Sequence, residues 1–408
     1  MSQRASGPRA SVLDLGLTAS AVTAMSLASR VLALLLLVPA ARLLSISDFG
    51  TFSVLLGATV AVAHVLGSAP ADLVATAAAR RPRRTRRRVT VAATLLTLLG
   101  AASLGAAVTV SASPPTMLLA VALCTTASVP VLAMSLLRGI GRPVVGASLL
   151  YLVLPLGRCA VAVAADATGD HDLRHLLVGL AVVGVCVGAG TVAVLLAVRA
   201  AVDVERPTPA PVARPWLAPV AGGMVSVAWL TFGQAGPLAL AWAAGPAAAA
   251  TLVPTLRLCD ALTAIGIGYK AAANRELQSS VDGALPRGAV TVLLGAFALA
   301  AVALCAVAPT AVPLLFGAQH RFVWNVALLL LAAFALATLV AVKVQLLFAI
   351  GAHARIISAS GAAVLVAVVA GTIGAEVAGI SGTAAAMLLT TATWFAALTA
   401  HRRPGVRR

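Results

Sequence analysis

Five ionisable side chains lie within stretches of sequence whose apolar character is typical of membrane spans. They are Arg30, Arg158, Arg257, Asp260 and Lys343. A charge at the centre of a bilayer costs about 2.5–3.5 kcal/mol on insertion scales, so each of these residues is a candidate for function. The four cations exceed the one acid by three charges. This excess suits an anionic substrate, because a guanidinium group binds a phosphate through two parallel hydrogen bonds.

The spacing of these residues adds polar neighbours to the set. On the first span Thr23, Ser26 and Arg30 fall on one helical face, which should look into the protein and not toward lipid. Arg257 and Asp260 are three residues apart on one span and can pair directly. A structural interpretation stays open, because buried cations also bond backbone carbonyls and a self-neutralised pair inserts more easily. The candidate substrate-binding residues are Arg30, Thr23, Ser26, Arg158, Arg257, Asp260 and Lys343.

Patterns for enzymatic or cofactor chemistry are missing from the sequence. Neither Lys270 nor Lys343 lies in a nucleotide-binding loop of the type GxxxxGK. His171 and His175 are four residues apart, but without a third ligand in view we expect no metal site. No pair of carboxylates at membrane depth is placed for glycosyl transfer. We therefore expect a protein that is not an enzyme and that uses no cofactor.

The composition is that of an integral membrane protein. Of the 408 residues, 61% are hydrophobic and only 10% are charged, whereas about a quarter is charged in a typical soluble domain. Apolar runs of about 20 residues, the length that crosses the hydrocarbon core, predict twelve transmembrane helices. Their predicted limits are 15–41, 48–76, 89–110, 116–137, 144–165, 174–199, 217–241, 248–270, 289–312, 323–350, 355–375 and 379–400.

The distribution of basic residues predicts the topology. With the N-terminus inside, 22 basic residues fall in cytoplasmic segments and 3 fall outside, in agreement with the positive-inside rule. Both termini and the basic run at 80–88 are then cytoplasmic, so the net charge of +17 does not indicate nucleic-acid binding. The proline-rich stretch at 201–215 predicts a cytoplasmic linker between an N-lobe at 1–200 and a C-lobe at 216–408, with six spans in each.

Three groups of residues resemble the motifs of a known transporter family. Ser29-Arg30, Ala41-Arg42-Leu43-Leu44 and Asp48-Phe49-Gly50 open the chain, Leu314-Leu315-Phe316-Gly317 precedes span 10, and Gly379-Ile380-Ser381-Gly382 begins span 12. Together they resemble polysaccharide-exporting, Wzx-like (O-antigen-type) flippases of the multidrug/oligosaccharidyl-lipid/polysaccharide (MOP) superfamily. The resemblance implies an all-α, MATE-like fold of two six-helix lobes. It also implies a central cavity that span 1 and spans 7–8 border.

The resemblance and the cationic spans support the same functional hypothesis. The chain is expected to flip a polyprenyl diphosphate-linked oligosaccharide across a bacterial cytoplasmic membrane, by alternating access, for cell-surface polysaccharide or lipopolysaccharide synthesis. Its partners would be that lipid-linked glycan, membrane lipids and glycan-assembly proteins, and no nucleic acid. Two alternatives stay open. One is a multidrug/cation antiporter of the same superfamily, for which Asp260 is the candidate carboxylate, and the other is a membrane-embedded glycan polymerase or ligase.

Overall fold

The described part of the chain is helical. Within it the computed structural model contains no β-strand. The third predicted span, the basic run at 80–88 and most of the linker at 201–215 lie outside this part, so the predicted division into lobes stays a prediction. The described residues are 12–59, 114–139, 143–169, 172–201, 217–263, 265–266 and 287–400.

The helices agree with the predicted spans at most of their ends. A π-helical turn at Leu149–Val153 joins two of them, Pro143–Ser148 and Leu154–Thr168. The helices are α1 (Val12–Leu43), α2 (46–59), α3 (Pro114–Gly139), α4 (Pro143–Ser148), α5 (Leu154–Thr168), α6 (Leu173–Ala201), α7 (Leu217–Ala244), α8 (Pro246–Ala261), α9 (Arg287–Phe316), α10 (Trp324–Ala349) and α11 (His353–Thr399).

Long apolar helices make this an all-α, multi-pass membrane protein. Six segments of the described residues are long and apolar enough to cross a bilayer, and the segment that includes α4 and α5 is one of them. Many of their large apolar side chains point outward, among them Leu299 at 75% and Val302 at 69% exposure. A soluble protein would bury such continuous faces, so these faces are suited to contact with lipid.

The helix α11 is two spans joined by a sharp bend. Ala378 and Gly379 depart from helical geometry, and Gly379 has a φ of 55°, which favours glycine. Eight residues of straight helix would extend about 12 Å. A Cβ on Gly374 would nevertheless lie 2.5 Å from the carbonyl oxygen of Gly382, so the chain turns back on itself. The two predicted spans at 355–375 and 379–400 are therefore confirmed.

The helices of the N-terminal and C-terminal halves pack mainly with their own neighbours. Helix α3 packs against α6 and α1 against α5, while α7 and α10 pack along α11. The two halves meet where α1 contacts α8 and α9. An apolar core crosses this junction and joins Leu37, Phe49 and Phe52 to Val253 and Phe316. This junction therefore holds one end of α1 firmly against the C-terminal half.

Candidate functional site

A cavity of about 190 Å³ lies at the junction of the two halves. Its walls come from α1, α2, α5, α7 and α8, which confirms the predicted position beside span 1 and spans 7–8. Leucines of α1 and α2 supply most of the apolar lining. The polar side chains that line the cavity are Ser29, Arg30, Arg158, Gln234, Arg257 and Asp260.

Arg30 bridges the two halves across this cavity. One of its terminal nitrogens, Nη1, lies 2.9 Å from Oδ1 of Asp260 in an ion pair. The same nitrogen lies 3.0 Å from the backbone oxygen of Asp260 and 2.6 Å from the hydroxyl of Thr263. Both side chains of the ion pair are about one third exposed, at 30% and 32%. The pair therefore stands at the edge of open space and not in a closed core.

The predicted pairing of Arg257 with Asp260 is wrong in this structure. Asp260 pairs with Arg30, which is 230 positions away in sequence. Arg257 donates instead to Oε1 of Gln234 on α7, over a long 3.4 Å. A neutral amide at that distance neutralises none of the arginine's charge. The positive charge of Arg257 thus remains available to the cavity.

Arg158 is the most deeply buried of the charged residues that line the cavity. It is only 6% exposed, and its Nε and Nη2 atoms have no hydrogen-bond partner in the part of the chain that the structure describes. Leaving a buried charged donor unsatisfied costs upward of about 1–3 kcal/mol, so such groups are rare without a function. A π-helical turn ends at Val153, five residues before Arg158, and Pro155, which lacks an N–H, also lines the cavity.

The other predicted site residues have different positions. Lys343 is on α10 at 8% exposure, and it is not among the residues that line this cavity, so its predicted role in substrate binding stays a prediction. Thr23 and Ser26 belong to α1, but their side chains fall outside what the structure describes. The charged residues that line the cavity are three arginines and one aspartate, which give the lining a net charge of +2.

Three polar residues of the site, Ser29, Gln234 and Thr263, were not predicted as site residues from the sequence. Gln234 is 8% exposed near the middle of α7, and Thr263 is 7% exposed just beyond α8. The hydroxyl of Thr263 donates to the backbone oxygen of Asp260 at 2.7 Å and so shares the group that Arg30 binds. Neutral polar residues carry a small insertion cost, so they are weaker sequence signals than the arginines.

Glycine allows α2 to approach the cavity closely. A Cβ on Gly57 would lie 2.3 Å from Oε1 of Gln234 and 3.9 Å from Nη2 of Arg257. Any side chain there would displace the amide that contacts Arg257. Gly57 is thus part of the structure that holds the Gln234 and Arg257 side chains in place.

Beyond the cavity, near the end of α1 at Leu43, a second group of residues joins the two halves, and we call this group the clasp. Its members are Arg42, Phe49, Gly50, Pro246, Leu314, Leu315, Gln319 and His320. Arg42 donates to the carbonyl oxygens of Leu315 at 2.9 Å and of Leu314 at 2.8 Å. The Gln319 amide donates to the carbonyl oxygen of Ala41 at 3.1 Å. These bonds satisfy carbonyls at the ends of α9 and α1 that have no partner within their own helices.

An aromatic contact fills the centre of the clasp. The ring of His320 is 1% exposed and packs edge-on against Phe49, with 5.1 Å between ring centroids. Burial lowers the pKa of His320, whereas the nearby carbonyl of Ala250 acts in the opposite direction. Arg42 and Arg30 are twelve residues apart on one helix, so the clasp lies about 18 Å from the ion pair. The predicted topology places the clasp at the outer surface.

Solved transporter structures resemble this fold over nearly the whole chain. A structure of the MATE multidrug transporter DinF-BH has 12% identity and a TM-score of 0.54, with 97% of this chain and 96% of that chain covered. A MATE protein in complex with MaD3S has 13% identity and a TM-score of 0.53, with 94% of each covered. An outward-facing multidrug resistance MATE family transporter of the MOP superfamily has 14% identity and a TM-score of 0.52, with 93% of each covered.

These comparisons define the fold of the chain but not its subfamily or its substrate. No family model matches the sequence, and no curated protein matches it. The structural neighbours are transporters, and the MATE-like fold predicted from sequence is confirmed. The chain is therefore a multi-pass membrane protein with the fold of a MATE family transporter.

Proposed function

We propose that this protein flips a lipid-linked oligosaccharide, carried on a polyprenyl diphosphate, across the bacterial cytoplasmic membrane for cell-surface polysaccharide synthesis. It acts as a transporter and not as an enzyme. Both termini are cytoplasmic in this proposal, as the positive-inside bias predicts. The substrate's headgroup enters the cavity between the halves while its hydrocarbon tail remains in lipid, and movement of one half against the other exposes the headgroup outside.

The observation that carries this proposal is that the buried side chain of Arg158 has two hydrogen-bond donors without a partner in the described part of the chain. A buried guanidinium that lines a cavity with two unsatisfied donors can bind an anion, and the net charge of the lining has the sign that a diphosphate requires. Arg257 lies on the same wall with only a weak neutral partner. Arg30 differs, because Asp260 already neutralises it in this conformation. Arg158 is therefore the first contact for phosphate, and Arg257 the second.

The size of the cavity supports a mechanism with more than one conformation. Pockets for drug-sized ligands usually measure about 300–1,000 Å³, so a cavity of 190 Å³ takes a phosphate group but not an oligosaccharide. The clasp closes the junction at the predicted outer end. The halves must separate before a glycan headgroup can pass, as alternating access requires.

Export of a surface glycan tests the proposal directly. In a flippase-deficient strain we expect Arg158→Gln to lower surface glycan at least tenfold at equal membrane protein level, because a charge-assisted contact is worth about 1.5–3 kcal/mol. Arg158→Lys should restore only part, since a point charge lacks the planar fork. Arg174→Gln is the matched control, because Arg174 is exposed at the start of α6 and does not line the cavity. Normal export by a well-inserted Arg158→Gln protein would refute the proposal.

A multidrug/cation antiporter is the second candidate. The apolar lining of the cavity and the multidrug transporters among the structural neighbours favour it. Its weakness is that Asp260 is the one carboxylate among the residues that line the cavity, and Arg30 already binds it. Efflux of cationic dyes distinguishes the two functions: a flippase should leave dye accumulation unchanged, and an antiporter should lower it and depend on Asp260.

A further inference from the structure

The side chain of Gln234 has one end fixed and the other end available to the cavity. It is 8% exposed, lines the cavity from α7, and its Oε1 accepts a hydrogen bond from Nη2 of Arg257. An arginine has no acceptor, so the oxygen and not the nitrogen of the amide must face it. Within the part of the chain that the structure describes, this is the only hydrogen bond of the Gln234 side chain. The two N–H groups of the amide are therefore available to a molecule in the cavity.

The backbone of α2 keeps the amide in this orientation. A Cβ on Gly57 would lie 2.3 Å from Oε1 and 3.2 Å from Cδ of Gln234, so α2 packs directly against the oxygen side of the amide. Turning the amide over would lose the bond from Arg257 and direct the N–H groups at a guanidinium, which only donates. The amide is thus preorganised as a donor, which lowers the entropic cost of binding a ligand.

The groups around Gln234 define what it can contact. Arg158 and Arg257 supply only donors, and Asp260 is already paired with Arg30. In the proposed function the two free arginines hold the diphosphate of the substrate. Because Gln234 contacts Arg257 directly, it lies beside the bound phosphate, where the first sugar of the glycan is attached. The exocyclic group nearest to that phosphate is the one on the sugar carbon next to the glycosidic carbon.

We propose that Gln234 is a specificity-determining residue that binds this first sugar. Its amide N–H groups donate to the oxygen on the carbon next to the glycosidic carbon, which belongs to a hydroxyl group or to the carbonyl of an acetamido group. This role rests on the proposed function, and it defines the substrate as a lipid diphosphate that is recognised together with its first sugar. A buried donor discriminates against a ligand that leaves the donor unpaired. A lipid diphosphate without a sugar lacks this acceptor.

Binding of short-chain analogues to the purified full chain in detergent tests this role. The three ligands are citronellyl diphosphate linked to glucose, the same compound with fluorine in place of the hydroxyl on the carbon next to the glycosidic carbon, and citronellyl diphosphate alone. Fluorine preserves the charge and shape of the ligand but is a much weaker acceptor than a hydroxyl oxygen. By calorimetric titration the wild-type protein should bind the glucose compound about three- to tenfold more tightly than the fluorinated one, the effect of one net hydrogen bond.

Variants of the chain assign this preference to the amide. Gln234→Met keeps the length of the side chain but removes the donors, so it should bind the two sugar compounds equally. Gly57→Ala displaces the same amide and should also reduce the preference. Gln345→Met is the matched control, because Gln345 is on α10 and does not line the cavity, and it should keep the preference. If Gln234→Met weakens binding of all three ligands alike and leaves the ratio between the sugar compounds intact, Gln234 has a structural role only and the proposal is wrong.

The same titrations distinguish failure of this role from failure of the proposed function. If the wild-type protein binds citronellyl diphosphate and Arg158→Gln weakens that binding, but the glucose and fluorinated compounds bind equally, only the role of Gln234 is wrong. If the wild-type protein binds none of the three ligands, the proposed function is wrong, and the role of Gln234 is wrong with it.

Discussion

Gly50 controls how closely the two halves approach at the clasp. A Cβ added there would lie 1.8 Å from the carbonyl oxygen of Pro246 and 2.5 Å from its carbonyl carbon. Real Cβ contacts essentially never fall below 3.0 Å, so α2 and the start of α8 must separate by about 1.2 Å to admit a methyl group. Both partners are backbone, so no side chain can rotate away to relieve the contact.

Gly50→Ala should therefore weaken the clasp and favour conformations in which it is open. Forcing an extra methyl group into a packed contact costs about 1–3 kcal/mol. A bias of that size shifts a two-state equilibrium about 5- to 150-fold. Phe49 and Phe52 next to it are fully buried, so the strain is transmitted to the apolar core of the junction and not absorbed locally.

Distances between two spin labels measure this shift. Ser47 and Leu314 are both exposed and lie on opposite sides of the clasp, so nitroxide labels there report its opening by double electron–electron resonance. The labels require replacement of the five native cysteines. Gly233→Ala is the matched control, because nothing lies within 4 Å of a Cβ at Gly233. An unchanged distance distribution in a folded Gly50→Ala protein would refute the reasoning.

Three further predictions follow from the same contacts and from the charge pattern. Arg30→Asp and Asp260→Arg should each lower export at least tenfold, and the double exchange should recover part of it, whereas an additive loss would mean that the pair has no energetic role. His320 has a lowered pKa in the clasp, so the closed state binds fewer protons than the open state. Acidification below the ordinary histidine value of about 6.5 should then favour opening, seen as a longer Ser47–Leu314 distance at a pH of about 5.5 that His320→Leu abolishes. Reporter fusions at Arg206 and Arg408 should both give a cytoplasmic signal, and an external signal at Arg206 would break the predicted division into six and six spans.

Helix positions were largely predictable from the sequence, because the length of an apolar run and its bounding turns are local properties. The predicted span at 174–199 corresponds to Leu173–Ala201, and the predicted span at 217–241 to Leu217–Ala244. The break between the last two spans was also predictable, since Gly379 follows a long apolar run and takes a conformation that glycine favours. Only the spans outside the described residues stay untested.

Part of the candidate site was predictable for a related reason. A charge in a membrane span is costly wherever it lies, so Arg30, Arg158, Arg257 and Asp260 could be selected without a structure, and all four line one cavity. The same argument from insertion cost also selected Lys343, which does not line this cavity. The insertion cost indicates that a charge in a span needs a favourable environment, but it does not indicate where in the protein that environment lies.

The tertiary structure alone decided which charges meet. Sequence spacing favoured a pair between Arg257 and Asp260, three residues apart, but packing of α1 on α8 brought Arg30 to Asp260 over 230 positions. Likewise nothing local to Arg42 indicates that it binds the carbonyls of Leu314 and Leu315. Helix periodicity determines which face a residue occupies, whereas the partner across that face depends on how separate helices pack, and that is a property of the whole chain.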